Sequence, residues 1–184
     1  MTFPPSYDEW QVQQAQAEAR RRHPQRLALF FLAAFFALQY AWGLCRGTVL
    51  ERLVIDRGTV APAAALIRNL WPGRDLAAHG HSLVAPTARL NVVNGCEGME
   101  TLFLLVAAFL AYPFPWKPRL GGILLGGLLV YGLNQIRLLL LWQAWLTDRA
   151  VFGLLHGIAL PLALIALCLL YFLVFVRRYG APSG

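Results

Sequence analysis

The chain is poor in charge. Of 184 residues only 14% are charged and nine are acidic, too few to solvate a soluble domain of this size. Hydrophobic residues make up 58%, above the ~45–50% of ordinary soluble domains. Cysteine is also scarce: Cys45, Cys96 and Cys168 include no C-x-x-C and no zinc-finger spacing with histidine, which argues against a dithiol oxidoreductase and a structural zinc site. There is no basic helix interleaved with aromatics and no nucleic-acid motif. The net charge of +7, nearly all arginine, is therefore read as membrane topology and attraction to anionic lipid, with no nucleic-acid partner. The first 26 residues are polar, and the first apolar run leads into Tyr40, Trp42 and Arg46 rather than a small-residue cleavage site. That run is expected to stay in the membrane rather than leave as a signal peptide.

What is present is a succession of apolar segments. The expectation is an all-α polytopic membrane protein: a cytosolic tail over 1–26, four transmembrane helices at 27–45, 98–112, 120–145 and 151–176, and a cytosolic tail over 177–184. A proline-rich cytosolic turn at 113–119 and an extracytoplasmic loop at 146–150 complete the connections. Residues 46–97 are too sparsely apolar to span. They form a small extracytoplasmic subdomain, with an amphipathic helix from Thr59 to Leu70 carrying Arg68 and Asn69 on its polar side, then a hairpin of His81–Val84 and Ala88–Val93 around Pro86. Gly122 and Gly126 in GGILLGG would let another helix approach closely and offer a docking face. Lys117, Arg119, Arg177 and Arg178 flank short connections, which places both termini in the cytosol of a multi-pass inner-membrane protein.

Three residues stand out because ionisable or nucleophilic groups are expensive or unusual in such segments. Cys96 lies in NVVNGCEGME immediately before the second span, Arg137 interrupts LNQIRLLLL, and His156 interrupts LLHGIAL. A span takes about 20 residues at about 1.5 Å each. Counting back from Trp116 reaches Cys96, forward from Arg119 reaches the residues just beyond Arg137, and back from Arg177 reaches Gly157. All three fall in one layer at the extracytoplasmic rim, where Trp142 and Trp145 also suit the interface. The count says nothing about lateral distance.

If they meet, the chemistry is acyl transfer. Cysteine attacks as the thiolate, His156 takes its proton and later protonates a leaving amine, and Arg137, which cannot act as a base, stabilises the oxyanion. Asn134, three residues before Arg137 on the same helix face, could hydrogen-bond the guanidinium or a substrate carbonyl. Glu97 and Glu100 flank the nucleophile and could orient His156 or contact a basic group, though acidic residues in a first helical turn also simply complement the dipole. Other readings compete: a small buried Cys96, a Cys45–Cys96 disulfide, an Arg137 snorkelling to headgroups, a His156 bonded across the bundle. His79 and His81 form an H-x-H pair better read as solvated loop residues than as metal ligands. No metal and no cofactor is expected, Asp148 reads as a helix cap, and Cys168 lies too deep to join the site.

At these positions the chain resembles the exosortase/archaeosortase family of membrane cysteine transpeptidases. The family pattern is a Cys followed closely by Gly at the start of a span, an Arg preceded by Asn at three residues, and a His near the start of the next span. Here these are Cys96 with Gly98, Asn134 with Arg137, and His156. The resemblance covers roughly Val60 to Arg178. It implies cleavage of exported proteins that carry a C-terminal motif, a transmembrane helix and a basic tail, with transfer of the acyl product to an acceptor whose identity it leaves open. It also implies Cys96 as nucleophile, His156 as acid and base, and Arg137 as stabiliser. The commoner wording is Cys-Ser-Gly, whereas this chain has Cys96-Glu97-Gly98; NGCEGME and the short body look like the compact subgroup called exosortase H, whose substrates carry an IPTL-type signal. Two alternatives remain: a membrane cysteine protease that releases product to water, and a non-catalytic scaffold or assembly factor.

Overall fold

The computed structural model describes residues 7–8, 10–12, 23–73, 75–92 and 97–180. Most of the expected N-terminal tail, the last hairpin residue Val93 and the expected nucleophile Cys96 lie outside the described residues. The chain is mostly helical with one small antiparallel sheet. Helix α1, Pro24–Leu44, opens with proline in its first turn and is apolar all round. Only Trp42 of it is buried, as suits a helix facing lipid rather than water.

Among the described residues three helices are long and apolar enough to cross a membrane: α1, α4 (Trp116–Thr147) and α5 (Arg149–Tyr179). The segment expected as a span at 98–112 is the 13-residue helix α3, Met99–Ala111, roughly 20 Å long. It is the hub of the bundle, because α1, α4 and α5 all pack on it. Every residue from Thr101 to Phe109 is buried or half-buried, so α3 is surrounded by its own chain. Its C-terminal end enters an aromatic cluster in which Phe109 lies 5.0 Å from Phe175 and 5.3 Å from Phe172, ring centre to ring centre.

Helix α4 meets this hub along one row. Gly122, Gly126, Val130, Asn134, Leu138 and Trp142 recur every four residues and are all buried. The expectation that the glycines allow close approach holds, but the space is filled from within the chain. A Cβ at Gly126 would come within 2.5 Å of a Leu105 methyl and 2.9 Å of Tyr171, and one at Gly122 would strike Phe109. Tyr171 Oη donates to the Gly122 carbonyl at 2.8 Å. The docking face expected on these glycines is thus already occupied by α3 and α5.

The subdomain is larger than its sequence signals. Residues 49–70 form one helix, α2, with a π-helical stretch at Leu53–Val60 between α-helical ends. Its expected amphipathic part buries Ala63, Ala64 and Ile67 while Arg68 and Asn69 are exposed. The sheet has three strands rather than two: β1 Ala77–His79, β2 Ser82–Ala85 and β3 Ala88–Asn91 in sequential order. β1 is missed in the sequence because AAH has neither alternation nor β-branching. Leu83, Leu90 and Val92 pack with Ile55, Ile67, Leu138 and Trp142 into one core. His81, read above as a solvated loop residue, instead contacts Asp56 and ties the β1–β2 turn to the π-helical stretch.

Candidate functional site

Arg137 is only 6% exposed, which disfavours the competing reading of an arginine that snorkels outward. It lines a cleft of about 340 Å³ together with Gly98, Glu100, His156, Gly157 and Pro161. The lateral question left open by the sequence is thereby answered for two of the three residues: Arg137 on α4 and His156 on α5 face the same space.

Local sequence explains how His156 gets there. Helix α5 starts at a capped end, where Asp148 Oδ1 accepts from Ala150 N at 2.7 Å and Val151 N at 3.4 Å, as expected. It then widens into a π turn at Leu155–Ala159, closed by Leu160 N–H donating to Leu155 O. Pro161 has no N–H and its ring would press on the carbonyl four residues back, which belongs to Gly157. The wider turn relieves that crowding, and it carries His156. The same grammar recurs in α2, where Gly58 stands four residues before Pro62 and the π stretch is closed by Ala61 N–H donating to Asp56 O. Such π turns cluster at functional sites; the Gly-x-x-x-Pro spacing inside a helical run was the signal that could have revealed both.

The imidazole is also held from behind. Phe152, one turn earlier, stacks on His156 with ring centres 5.4 Å apart and planes 5° from parallel. Trp145 meets Phe152 edge to face at 4.8 Å, and the Arg149 guanidinium sits 3.2 Å over the Trp145 ring. Of these residues the sequence singled out only Trp145, and that for the membrane interface. His156 and Phe152 also border a small cavity of about 200 Å³ with Leu90, Asn91 and Val92 at the end of β3, where Val92 N donates to His81 O at 2.7 Å.

Glu97 and Gly98 lead into α3. Gly98 has φ +79° and starts α3, a conformation that costs other residues about 1–2 kcal/mol. A Cβ here would also lie 2.9 Å from Asn134 Cγ and 3.0 Å from its Oδ1. Position 98 therefore excludes a side chain twice over. Asn134 itself is 2% exposed and its Oδ1 accepts no hydrogen bond. The expected bond from the guanidinium to this oxygen is thus not made, because the Asn134 side chain is turned onto Gly98. Glu100 borders the Arg137–His156 cleft, whereas Glu97 borders a second cleft. Cys45 is a free, half-buried thiol and Cys168 a buried free one. Among the described residues no cluster of three or more His, Cys, Asp or Glu could hold a metal.

An apolar groove adjoins the cleft. It is lined by Phe31 of α1, Leu105 and Ala108 of α3, and Cys168 and Phe172 of α5, and shares Thr101, Leu104 and Ile165 with the cleft.

No curated protein and no solved structure matches the chain. A family model described as transmembrane exosortase (Exosortase_EpsH) matches residues 70–174. That stretch is more than half of the chain and takes in the sheet, Gly98, Asn134, Arg137 and His156 together, so the chain belongs to the transmembrane exosortase family.

Proposed function

We propose that this membrane protein is a cysteine transpeptidase that cleaves C-terminal sorting signals of exported proteins through a thioester on Cys96. The observation that carries the reading is local. The last described residue before position 93, Val92, borders His156, and the cleft residue Gly98, just after position 96, borders both Arg137 and His156. Cys96 is two peptide units from Gly98, a covalent reach of no more than about 7 Å. That tether supports a reading in which the thiol works at the cleft that Arg137 and His156 line.

In the proposed sequence His156 accepts the Cys96 proton, and the thiolate attacks the scissile carbonyl carbon. Arg137 stabilises the oxyanion. Collapse breaks the C–N bond, His156 protonates the leaving amine, and a thioester remains. Glu100, at the rim of the same cleft, is suited to a basic or amide group of the substrate. The four apolar segments, α3 included, make four crossings, with both termini cytosolic and the site at the extracytoplasmic rim. The basic residues at the inner ends of α4 and α5 support that orientation. The apolar groove running from the cleft along α1, α3 and α5 supports lateral arrival of a substrate's hydrophobic helix from lipid. The substrate's basic tail would then stop it from sliding through.

The direct test mixes the purified protein with a peptide bearing a candidate signal, quenches in acid and measures intact mass. The expected result is an adduct on Cys96 that hydroxylamine removes and that Cys96→Ala lacks. Normal processing by Cys96→Ala would end the thioester reading.

Phe152 gives a second test. As a positioning residue it contributes through the ring stack, and an aromatic pair supplies about 0.5–1.5 kcal/mol. Phe152→Ala is therefore expected to slow acylation by up to about tenfold with KM unchanged, and Phe152→Tyr to restore it. A change in KM alone, or no rescue by tyrosine, would reduce Phe152 to a packing role.

A further inference from the structure

Asp56 on the π-helical stretch of α2 and His81 in the β1–β2 turn face each other in contact through Oδ1 and Nδ1. The side chains are 25% and 35% exposed, yet both facing atoms are shut off from solvent. A carboxylate oxygen is attracted to a ring nitrogen only when that nitrogen carries a proton, so the contact calls for the proton on Nδ1 and leaves Asp56 to accept. A pair this near the surface contributes little to global stability; what it fixes is a position. The His81 carbonyl accepts from Val92 N at 2.7 Å, and beside it Ser82 Oγ donates to Asn91 Oδ1 at 2.7 Å. The turn thus grips α2 with a side chain and the end of β3 with its backbone. Val92 is fully buried, and Asn91 and Val92 border the same small cavity as His156. Cys96 follows Val92 by four peptide units, a reach of no more than about 14 Å.

We infer that Asp56 and His81 are positioning residues, which hold the Val92 end of the Cys96 segment beside His156. The inference rests on the thioester proposed for Cys96 and names what aligns its nucleophile. The far end of that segment is fixed by Gly98, through its positive φ and its packing on Asn134. At the Val92 end an apolar core also joins the sheet to α2. Apolar contacts survive a small slide of one element on another, whereas a buried donor and acceptor lose their pairing when the register shifts. Asp56 is in turn seated by the π stretch, since its own carbonyl accepts from Ala61 N. The two π stretches then divide the work: the one in α5 presents His156, and the one in α2 holds the turn on which the end of β3 hangs. Neither Asp56 nor His81 touches substrate in this scheme. Acting through Val92, they raise the share of conformations in which the Cys96 sulfur lies within reach of the imidazole. That share enters kcat and the reactivity of the free thiol, and leaves substrate affinity alone.

The full-length protein is assayed for kcat and KM on a substrate peptide, and, without substrate, for the rate at which iodoacetamide alkylates Cys96, read by peptide mass. Asp56→Ala and His81→Ala are each expected to lower kcat about 10–100-fold, the scale of a displacement near 1 Å, with KM within about twofold of wild type and Cys96 alkylation slowed at least about fivefold. The double variant should be no worse than either single one, because both remove the same contact. His81→Asn, whose amide nitrogen stands where Nδ1 stood, should recover kcat to within about threefold of wild type, while His81→Gln, which carries its amide one carbon farther, should not. His79→Ala, at an exposed histidine of β1, should change neither rate. Unchanged kcat and alkylation in both alanine variants overturns the inference, as does a loss confined to KM, a fall in kcat with normal alkylation, or additive losses in the double variant. Should the alanine variants fail to reach the membrane, the other two His81 variants decide: recovery by asparagine alone supports the positioning role, and equal activity of the two refutes it. Cleavage that persists in Cys96→Ala overturns the underlying thioester reading instead.

Discussion

Substrate processing is expected to fall by about 10⁴–10⁶-fold in Cys96→Ala, the scale on which loss of a covalent nucleophile is felt. His156→Ala should cost about 10²–10⁴-fold, the usual worth of a positioned acid and base. Arg137→Lys is the more informative change at its position. It keeps the charge but replaces a planar fork of five donors with one flexible ammonium, so a loss of about 10²–10³-fold follows if guanidinium geometry holds the oxyanion. Membrane abundance should stay near wild type in Cys96→Ala and His156→Ala, and Cys45→Ala should process normally, since Cys45 is a free thiol outside the cleft. Cys96 should also alkylate faster than the buried Cys168. The measurement is the fraction of a tagged substrate that is shortened, normalised to enzyme in the membrane. Full processing by Arg137→Lys would leave only charge, and no fork, for that residue to contribute.

Gly98→Ala should carry the largest structural effect. The new methyl demands a positive φ and an approach of 2.9 Å to Asn134 Cγ. Left-handed strain and overpacking together cost about 2–4 kcal/mol. Because Gly98 is two residues from the proposed nucleophile, relief of the clash is expected to shift Cys96, and a displacement of about 1 Å costs about 10²-fold in rate. The double variant Gly98→Ala/Asn134→Ala removes the contacts at 2.9 and 3.0 Å but keeps the 3.2 Å contact with the residue-134 Cβ and the positive φ. It should recover part of the stability and little of the rate. Thermal unfolding in detergent, read beside processing for all four members of the cycle, separates the two components. A single variant as stable and active as wild type would remove the close packing of α3 on α4 from the account.

Much of this was legible in the residues themselves. The apolar runs, the Asp148 cap, the turn at Trp71-Pro72-Gly73 and the hairpin around Pro86 follow from local propensity. The pairing of Cys96 with Gly98 is intelligible the same way once φ +79° is known. That α3 is enclosed was less legible, because hydropathy cannot distinguish a lipid-facing helix from one surrounded by three others. His81 was misread for a related reason: its partner Asp56 lies 25 residues earlier on another element.

By itself the sequence determined that the chain belongs in a membrane, and it put a guanidinium and an imidazole inside apolar segments where such groups need a reason. These are properties of composition and of spacing along one helix, which the chain carries wherever it goes. Only the tertiary structure decided that Arg137 and His156 face one cleft, that Asn134 turns away from the guanidinium onto Gly98, and that a second cleft opens beside it. Those outcomes depend on which helix faces meet and how closely. That was set by side chains from three helices interlocking at Gly122 and Gly126 and by two prolines widening their helices into π turns, none of which any one segment specifies alone.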